Sequence, residues 1–240
     1  LYFVCKRKNI RAIVQNNDDL NELKNLTNIK KEDIVLIKGS GVNVNRFNNL
    51  SFSDKRNIVL FPGKVTYHKG IKEFFYASKH LAKEFKNWKF AVAGEEDYDS
   101  RSNVPKKTLL GWKKEGVVEF LGYRKDINEL FLKSSIVCLP SKREGMPKAL
   151  LEAASAGCAV ITSDAVGTRE AIINFETGLL VPVGNTKKLV DAIRTLIINK
   201  NKRIGYGKNG QILAKKEFDI EKVTSKHMEI YESLLTSAVG

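Results

Sequence analysis

Ile136-Val137-Cys138-Leu139-Pro140-Ser141-Lys142-Arg143-Glu144-Gly145-Met146-Pro147-Lys148-Ala149-Leu150-Leu151-Glu152 is the stretch on which the fold turns. Its first four residues are apolar without a break, as in a strand buried on both faces, and Pro140 closes it. Pro147 then reads as a first-turn residue of a helix, where its missing N–H costs nothing. A buried strand, a short loop and a helix opening on proline make the strand-to-helix step of a parallel α/β sheet. In such sheets ligands bind at the loop that leaves the carboxyl end of a strand.

The same step repeats on either side. Apolar runs at Ile58 to Phe61, Lys89 to Ala93, Val117 to Leu121, Ala159 to Thr162 and Gly178 to Val181 read as further strands. Between the first two, Ile71, Phe74, Phe75, Ser78, Leu81, Ala82 and Phe85 fall on one helical stripe, which reads as core. Helix starts are expected at Asp126, Pro147, Thr168, Thr186 and Asp219. The expected architecture is α/β, a Rossmann-like parallel sheet with helices on both faces over residues 48–215 and a last helix in 216–240.

Before residue 48 the pattern is thinner: a strand at Arg11 to Gln15, a helix at Asp18 to Leu26, a strand at Ile34 to Lys38, then Gly39-Ser40-Gly41. Three elements are too few for a domain, so residues 1–47 read as the last unit of a preceding domain with a linker. The chain is therefore expected to be cut from a longer protein. Leu1 to Lys8 contains no Met and puts its apolar residues before its charges, the reverse of a signal peptide.

With 240 residues and 42% hydrophobic content, one full α/β core can form. No apolar run approaches the roughly 20 residues that cross a bilayer. Cys5, Cys138 and Cys158 are odd in number and lack CxxC spacing, which suggests neither a disulfide framework nor a zinc site and fits a reducing cytoplasm. The 41 Lys+Arg against 27 Asp+Glu give a formal charge of +14, spread along the chain. No basic stripe with interleaved aromatics appears. Specific nucleic-acid binding is not expected; a solvated surface, or weak attraction to an anionic membrane at its inner face, is.

Three loops carry chemistry. Around Pro147, the free N–H groups of Gly145, Met146 and Lys148 face the positive end of a helix dipole, which suits an anion. Glu144 and Glu152 lie at least roughly 7 Å apart along the helix axis, so one ligand with polar groups at both ends could span them. Alternatively Glu144 caps the helix and Glu152 is solvated. After the first strand of the main sheet, Phe61-Pro62-Gly63-Lys64-Val65-Thr66-Tyr67-His68-Lys69-Gly70 places two lysines around a turn. Gly63 permits close backbone approach, and Lys64 and Lys69 could neutralise a diphosphate or be surface lysines. Neither GxGxxG nor GxxxxGK[ST] is present here, so no dehydrogenase or Walker loop is indicated. Backbone at Ala93-Gly94-Glu95-Glu96 and Gly122-Tyr123-Arg124 could read a base edge, with packing the other reading of Tyr123; the acidic pair Glu95-Glu96 reads as a solvated turn in preference to a metal site. His68, His80 and His227 share no ligand spacing.

Taken in order, Gly41-Val42-Asn43, Gly63-Lys64 with Lys69-Gly70, Ala93-Gly94, Phe120-Leu121-Gly122-Tyr123, Pro140-Ser141 with Glu144-Gly145-Met146-Pro147 and Glu152, Gly157-Cys158-Ala159-Val160, and Gly167-Thr168-Arg169-Glu170 before Gly178-Leu179-Leu180-Val181 resemble the retaining glycosyltransferases of GT-B fold, the capsule and lipopolysaccharide type. The resemblance covers nearly the whole chain. It implies that this is the C-terminal, donor-binding half of the fold, with residues 1–47 the tail of the acceptor domain and the interdomain linker. It further implies Glu144 as the catalytic residue near the transferred sugar with the Gly145 and Met146 amides beside it, Glu152 on the ribose, and Lys64 and Lys69 on the diphosphate. Lys64 stands where the family usually has Arg, which keeps the charge and loses the bidentate fork.

On this reading the partners are a nucleotide sugar and a glycan or lipid-linked acceptor. Neither a metal nor another cofactor is called for, because preorganised cations and amides stabilise the leaving phosphate. A glycosidase would also use two carboxylates but has no need of Lys64, Lys69 or a phosphate-binding helix. A nucleotide-sugar epimerase of GT-B fold and a non-catalytic nucleotide-binding module remain the alternatives. Nothing in residues 1–40 is identifiable as acceptor-binding, so the chain alone is expected to be inactive.

Overall fold

The computed structural model describes residues 10–26, 29–47, 51–52 and 54–239. Cys5 and the rest of the Leu1 to Lys8 stretch lie outside them. The chain opens with β1 (Ala12–Val14), α1 (Asn17–Leu26) and β2 (Ile34–Leu36), and β1 and β2 pair in parallel as a separate two-stranded sheet. There follow β3 (Arg56–Pro62), α2 (Ile71–Glu84), β4 (Lys89–Ala93), α3 (Lys106–Glu115), β5 (Glu119–Phe120), α4 (Ile127–Lys133) and β6 (Ser134–Leu139). After these come α5 (Lys148–Ser155), β7 (Ala159–Ser163), β8 (Gly178–Val181), α6 (Thr186–Ile198), α7 (Lys200–Glu217) and α8 (Ile220–Val239).

The six later strands form one sheet in the order β5-β4-β3-β6-β7-β8, every pair parallel. This is the expected α/β sheet with helices on both sides. It runs outward from β3 in one direction through β4 and β5, and from β6 in the other through β7 and β8. The switch point therefore lies between β3 and β6, at the centre of the sheet.

Burial explains the strand content. All six residues of β6 and all five of β7 are buried, so apolar and β-branched residues fill both faces. The stripe read on α2 is core: Ile71, Phe74, Phe75, Ser78 and Leu81 are buried, and Phe75 stacks on Trp112 of α3 with ring centroids 4.6 Å apart. The buried Ser78 hydroxyl donates to the Phe74 carbonyl at 2.8 Å, which removes the cost of an unpaired polar group.

Several expected bounds shift. Edge strand β5 has two residues where five were expected, and it pairs only with β4. The helix start expected at Thr168 is a single 3-10 turn, Arg169–Ala171, because the Thr168 hydroxyl donates back to Ser163 O and Ala165 O. Asn185, one residue before Thr186, caps α6 by accepting from Lys188 N at 2.9 Å. At the far end, α8 turns back onto the first unit, where Val223 and Ile230 pack with Ile37.

Candidate donor site

Two loops leave the sheet at the switch point, residues 63–70 after β3 and 140–147 after β6. They are tied together. Lys142 N donates to His68 O at 2.9 Å, and His68 Nε2 lies 2.9 Å from Arg143 O. His68 is thereby a loop tie. The principal contact is between the candidate residues themselves: Lys69 Nζ donates to Glu144 Oε1 at 2.7 Å and to Oε2 at 2.8 Å. The Glu144 side chain is only 13% exposed. It does not cap α5, the alternative considered above; its partner is Lys69.

Behind Glu144 the loop after β7 closes in. Glu144 N donates to Val166 O at 3.0 Å. Gly167, with φ 75°, passes so close to the Glu144 and Gly145 carbonyls that a Cβ there would collide with both. Pro147 sits one position earlier than expected. It is the residue before α5, with ψ 106°, and its carbonyl accepts from Leu150 N at 2.9 Å. Proline tolerates that place because its own N–H is absent and its extended ψ turns the carbonyl into the first turn. The preceding Gly145 and Met146 N–H groups make no hydrogen bond among the described residues.

Glu152 lies inside α5 with its side chain 18% exposed, so the solvated reading does not hold. Burial raises its pKa above the usual carboxylate value, and the charges of Lys148 and Arg46 oppose that rise only in part. Lys148 Nζ is 3.7 Å from Glu152 Oε1. Met146 is buried with its Cγ against Gly39, which brings the linker down over the site.

Lys64 differs from Lys69. Its Nζ lies 3.1 Å from Asp97 Oδ2 and 3.3 Å from Glu95 Oε1, and these hydrogen bonds and charges raise its pKa. The two lysines therefore have different partners, Lys69 on the Glu144 loop and Lys64 on the acidic loop after β4. The sequence carried no sign of this, because the partners are 31 and 33 residues away and pair through the fold. Close backbone approach is real at Gly63 but comes from across the sheet: a Cβ on Gly94 would collide with Gly63 O, while one on Gly63 would meet side chains, Leu139 Cδ1 at 3.2 Å and the Phe61 ring at 3.5 Å. Glu96 is no free turn residue either, since Lys113 and Tyr98 hydrogen-bond it and depress its pKa.

Gly63, Lys64, Gly94 and Tyr123 line a cleft of ≈ 400 Å³ beyond the ends of β3 and β4. Tyr123 is 71% exposed there, so it is not a packing residue. Among the described residues no group of three or more His, Cys, Asp or Glu side chains gathers at a point that could hold a metal ion.

Sequence reasoning missed the contribution of the first unit. Asn16 donates to Gly145 O at 2.8 Å, Arg143 Nη2 to Asp19 Oδ1 at 2.6 Å, and Asn17 N to Glu170 Oε1 at 2.6 Å. The only local trace was Asn16 followed three residues later by Asp19, a helix-capping spacing.

Residues 43–212 match the family profile described as Glycosyl transferases group 1. A Campylobacter jejuni protein named N,N'-diacetylbacillosaminyl-diphospho-undecaprenol alpha-1,3-N-acetylgalactosaminyltransferase is 31% identical over 93% of this chain. The Staphylococcus aureus capsular polysaccharide biosynthesis glycosyltransferase CapM is 22% identical over 89% of it. The chain spans 60% and 59% of the lengths of these two relatives. Among solved structures, Anabaena HepE in complex with UDP and glucose superposes with a TM-score of 0.80 at 21% identity, covering 93% of this chain and 63% of that one. Sucrose-phosphate synthase from Thermosynechococcus elongatus gives 0.80 at 22%, covering 94% and 58%. The fold is thus that of GT-B glycosyltransferases, and with a profile match over most of its length this chain belongs to the glycosyl transferases group 1 family.

Proposed function

We propose that this chain is the donor-binding half of a retaining glycosyltransferase, which moves a sugar from a nucleoside-diphosphate sugar to a glycan or lipid-linked acceptor. The observation that carries the reading is the Lys69–Glu144 pair at the switch point of the sheet. A diphosphate arriving there competes with Glu144 for Lys69. As the leaving phosphate gains charge, Lys69 stabilises it, and Glu144 is released toward the sugar, with the Gly145 and Met146 amides beside it. Glu152 accepts the ribose hydroxyls, and the cleft beside Tyr123 takes the base. The lipid-linked acceptor has its support in the name of the Campylobacter jejuni relative.

Donor binding and transfer separate in this reading. Residues 1–240 bind the nucleotide, and transfer needs acceptor-side residues such as those the longer relatives can supply. Thermal-shift titration with UDP, GDP, ADP and their sugars tests the first half, because a ligand of the native state raises the melting temperature. Absence of any shift overturns the donor-site reading, and robust transfer by residues 1–240 alone overturns the division.

Attachment to anionic lipid at the cytoplasmic face of a membrane belongs to the same proposal. No helix among the described residues is long and apolar enough to cross a membrane. Lys83, Lys86 and Lys89 line a cleft of ≈ 640 Å³ at the amino ends of the strands, the edge opposite the donor loops. Co-sedimentation with phosphatidylglycerol vesicles but not phosphatidylcholine vesicles, lost on adding salt, is the expected result.

A further inference from the structure

Asn16 stands between β1 and α1 and is completely buried. It lies outside the 43–212 profile match, yet its side chain reaches the loop that carries Glu144. Its Oδ1 accepts from Asp19 N at 2.7 Å, which caps α1. Its Nδ2 donates to Asp19 Oδ2 at 2.7 Å and to Gly145 O at 2.8 Å. One side chain thus serves both a helix end and the candidate donor loop.

Gly145 is where such a tie matters. With no Cβ, glycine lets its peptide units rotate at low cost. The peptide joining Gly145 to Met146 is planar and trans, so its carbonyl and its N–H point in opposite directions. Holding the Gly145 carbonyl therefore sets where the Met146 N–H points, and it restrains the Cα from which Glu144 hangs one residue earlier. Gln15 Oε1 lies 2.8 Å from where a Gly145 Cβ would stand, so the first unit presses on the loop at two adjacent residues. The Arg143 pairs with Asp19 and Glu22 are more exposed and contribute little by comparison.

We infer that Asn16 is a positioning residue: its amide fixes the Glu144-Gly145-Met146 loop in the orientation that meets the donor. The structural half of this inference stands on the geometry, and its effect on ligand rests on the donor-site reading above.

Asn16→Ser and Asn16→Asp separate the two roles, because both keep an oxygen that caps α1 and both lose the amide N–H that reaches Gly145 O. Hydrogen exchange of the whole chain is the first measurement. The amide of Glu144, which donates to Val166 O, is expected to exchange about 10-fold faster in both variants as the loss of one hydrogen bond frees the loop, while the Asp19 amide keeps its protection. Unchanged exchange at Glu144 overturns the inference, as does faster exchange there only in step with α1, which would make Asn16 a cap and nothing more. The second measurement is calorimetry with UDP, GDP, ADP and UDP-glucose, GDP-mannose and ADP-glucose. Where the unaltered chain binds a pair, the sugar nucleotide is expected to lose about 10-fold and the bare nucleotide less than about 3-fold. Equal losses overturn the inference. If the unaltered chain binds none of the six, the donor-site reading falls and the exchange result alone decides on Asn16.

Discussion

Lys69 Nζ sits between both carboxylate oxygens of Glu144, at 2.7 and 2.8 Å, although the two residues are 75 apart in the chain. The pair thus neutralises itself, and on the proposed donor-site reading a diphosphate has to displace one of its members.

The two lysines are accordingly expected to differ. A hydrogen bond to a charged group is worth about 1.5 to 3 kcal/mol, so Lys69→Ala should weaken nucleoside diphosphate binding roughly 10- to 100-fold, with little effect on the bare nucleoside. Lys64→Ala should cost less, because the Lys64 side chain is 52% exposed against 28% for Lys69, so solvent and salt screen its charge more. Glu144→Gln should strengthen nucleoside diphosphate binding by up to about 5-fold, since it removes a competing ion pair of about 1 kcal/mol, while abolishing transfer in the full-length enzyme. Isothermal calorimetry on the three variants decides; equal losses from the two lysine changes count against the unequal roles.

Glu152 offers a pH test. Its pKa in the folded chain is raised by burial, so the folded state holds its proton more tightly than the unfolded state does. Stability then falls as pH rises from the ordinary glutamate range through the raised folded value, and stays reduced above it. Glu152→Gln removes that loss. The variant should melt higher than the parent at pH 7, by roughly 2 to 4 °C for each 1 kcal/mol recovered, with the gap closing at acid pH. It should also bind nucleotide more weakly, having lost a charged acceptor for the ribose. A lower melting temperature at pH 7 would show that the carboxylate is stabilising.

Two glycines should respond oppositely to the same change. Gly167→Ala places a methyl group against the Glu144 and Gly145 carbonyls at φ 75°, so both stability and donor binding should fall, stability by more than about 2 kcal/mol. Gly111→Ala, within α3 and with nothing within 4 Å of the new methyl, should gain about 1 kcal/mol from helix propensity. Chemical denaturation of both variants gives the comparison, and a gain at position 167 would mean that the loop after β7 is not tight against Glu144.

Phe175 carries a left-handed backbone in the turn before β8, where its N–H donates to Gly178 O at 2.9 Å. It is a non-glycine residue with φ 65° and is 70% exposed. Phe175→Gly should therefore stabilise the chain by about 1 kcal/mol, since the left-handed backbone costs an L-residue about 1 to 2 kcal/mol and few contacts are lost. A drop in melting temperature would indicate that the phenylalanine ring is anchored.

The legible parts of the sequence were those where one period or one breaker dominates. Strands β6 and β7 are unbroken apolar runs, and the α2 stripe carries a helical spacing, so both are found within a residue or two. Helix α7 was missed because Gly205, Gly207 and Gly210 lie inside it. Glycine weakens a helix, but Gly207 is required there: a Cβ would collide with Gly157 O, where the helix crosses the turn before β7. Helix α3 buries only Leu109 and Trp112, too few to mark a face. In the site, Glu144 and Lys69 were found because they stand next to glycine and proline punctuation. The Lys64 partners and the reach of Asn16 to Gly145 were not, because these contacts join residues far apart in the sequence, and the Asn16 to Asp19 spacing marks only a helix cap.

The centre of the sheet has a consequence for assembly on the ribosome. β3 ends at Pro62 and its central neighbour β6 begins at Ser134. At roughly 5 to 20 residues per second, several seconds of synthesis separate the two. Throughout that interval β3, β4 and their helices can pair with each other, but one edge of β3 has no mate, and the Lys69 loop has nothing to close upon. The apolar flank of β3 is therefore the part of the nascent chain most in need of a chaperone. Nucleotide added before β6 emerges should offer it no protection.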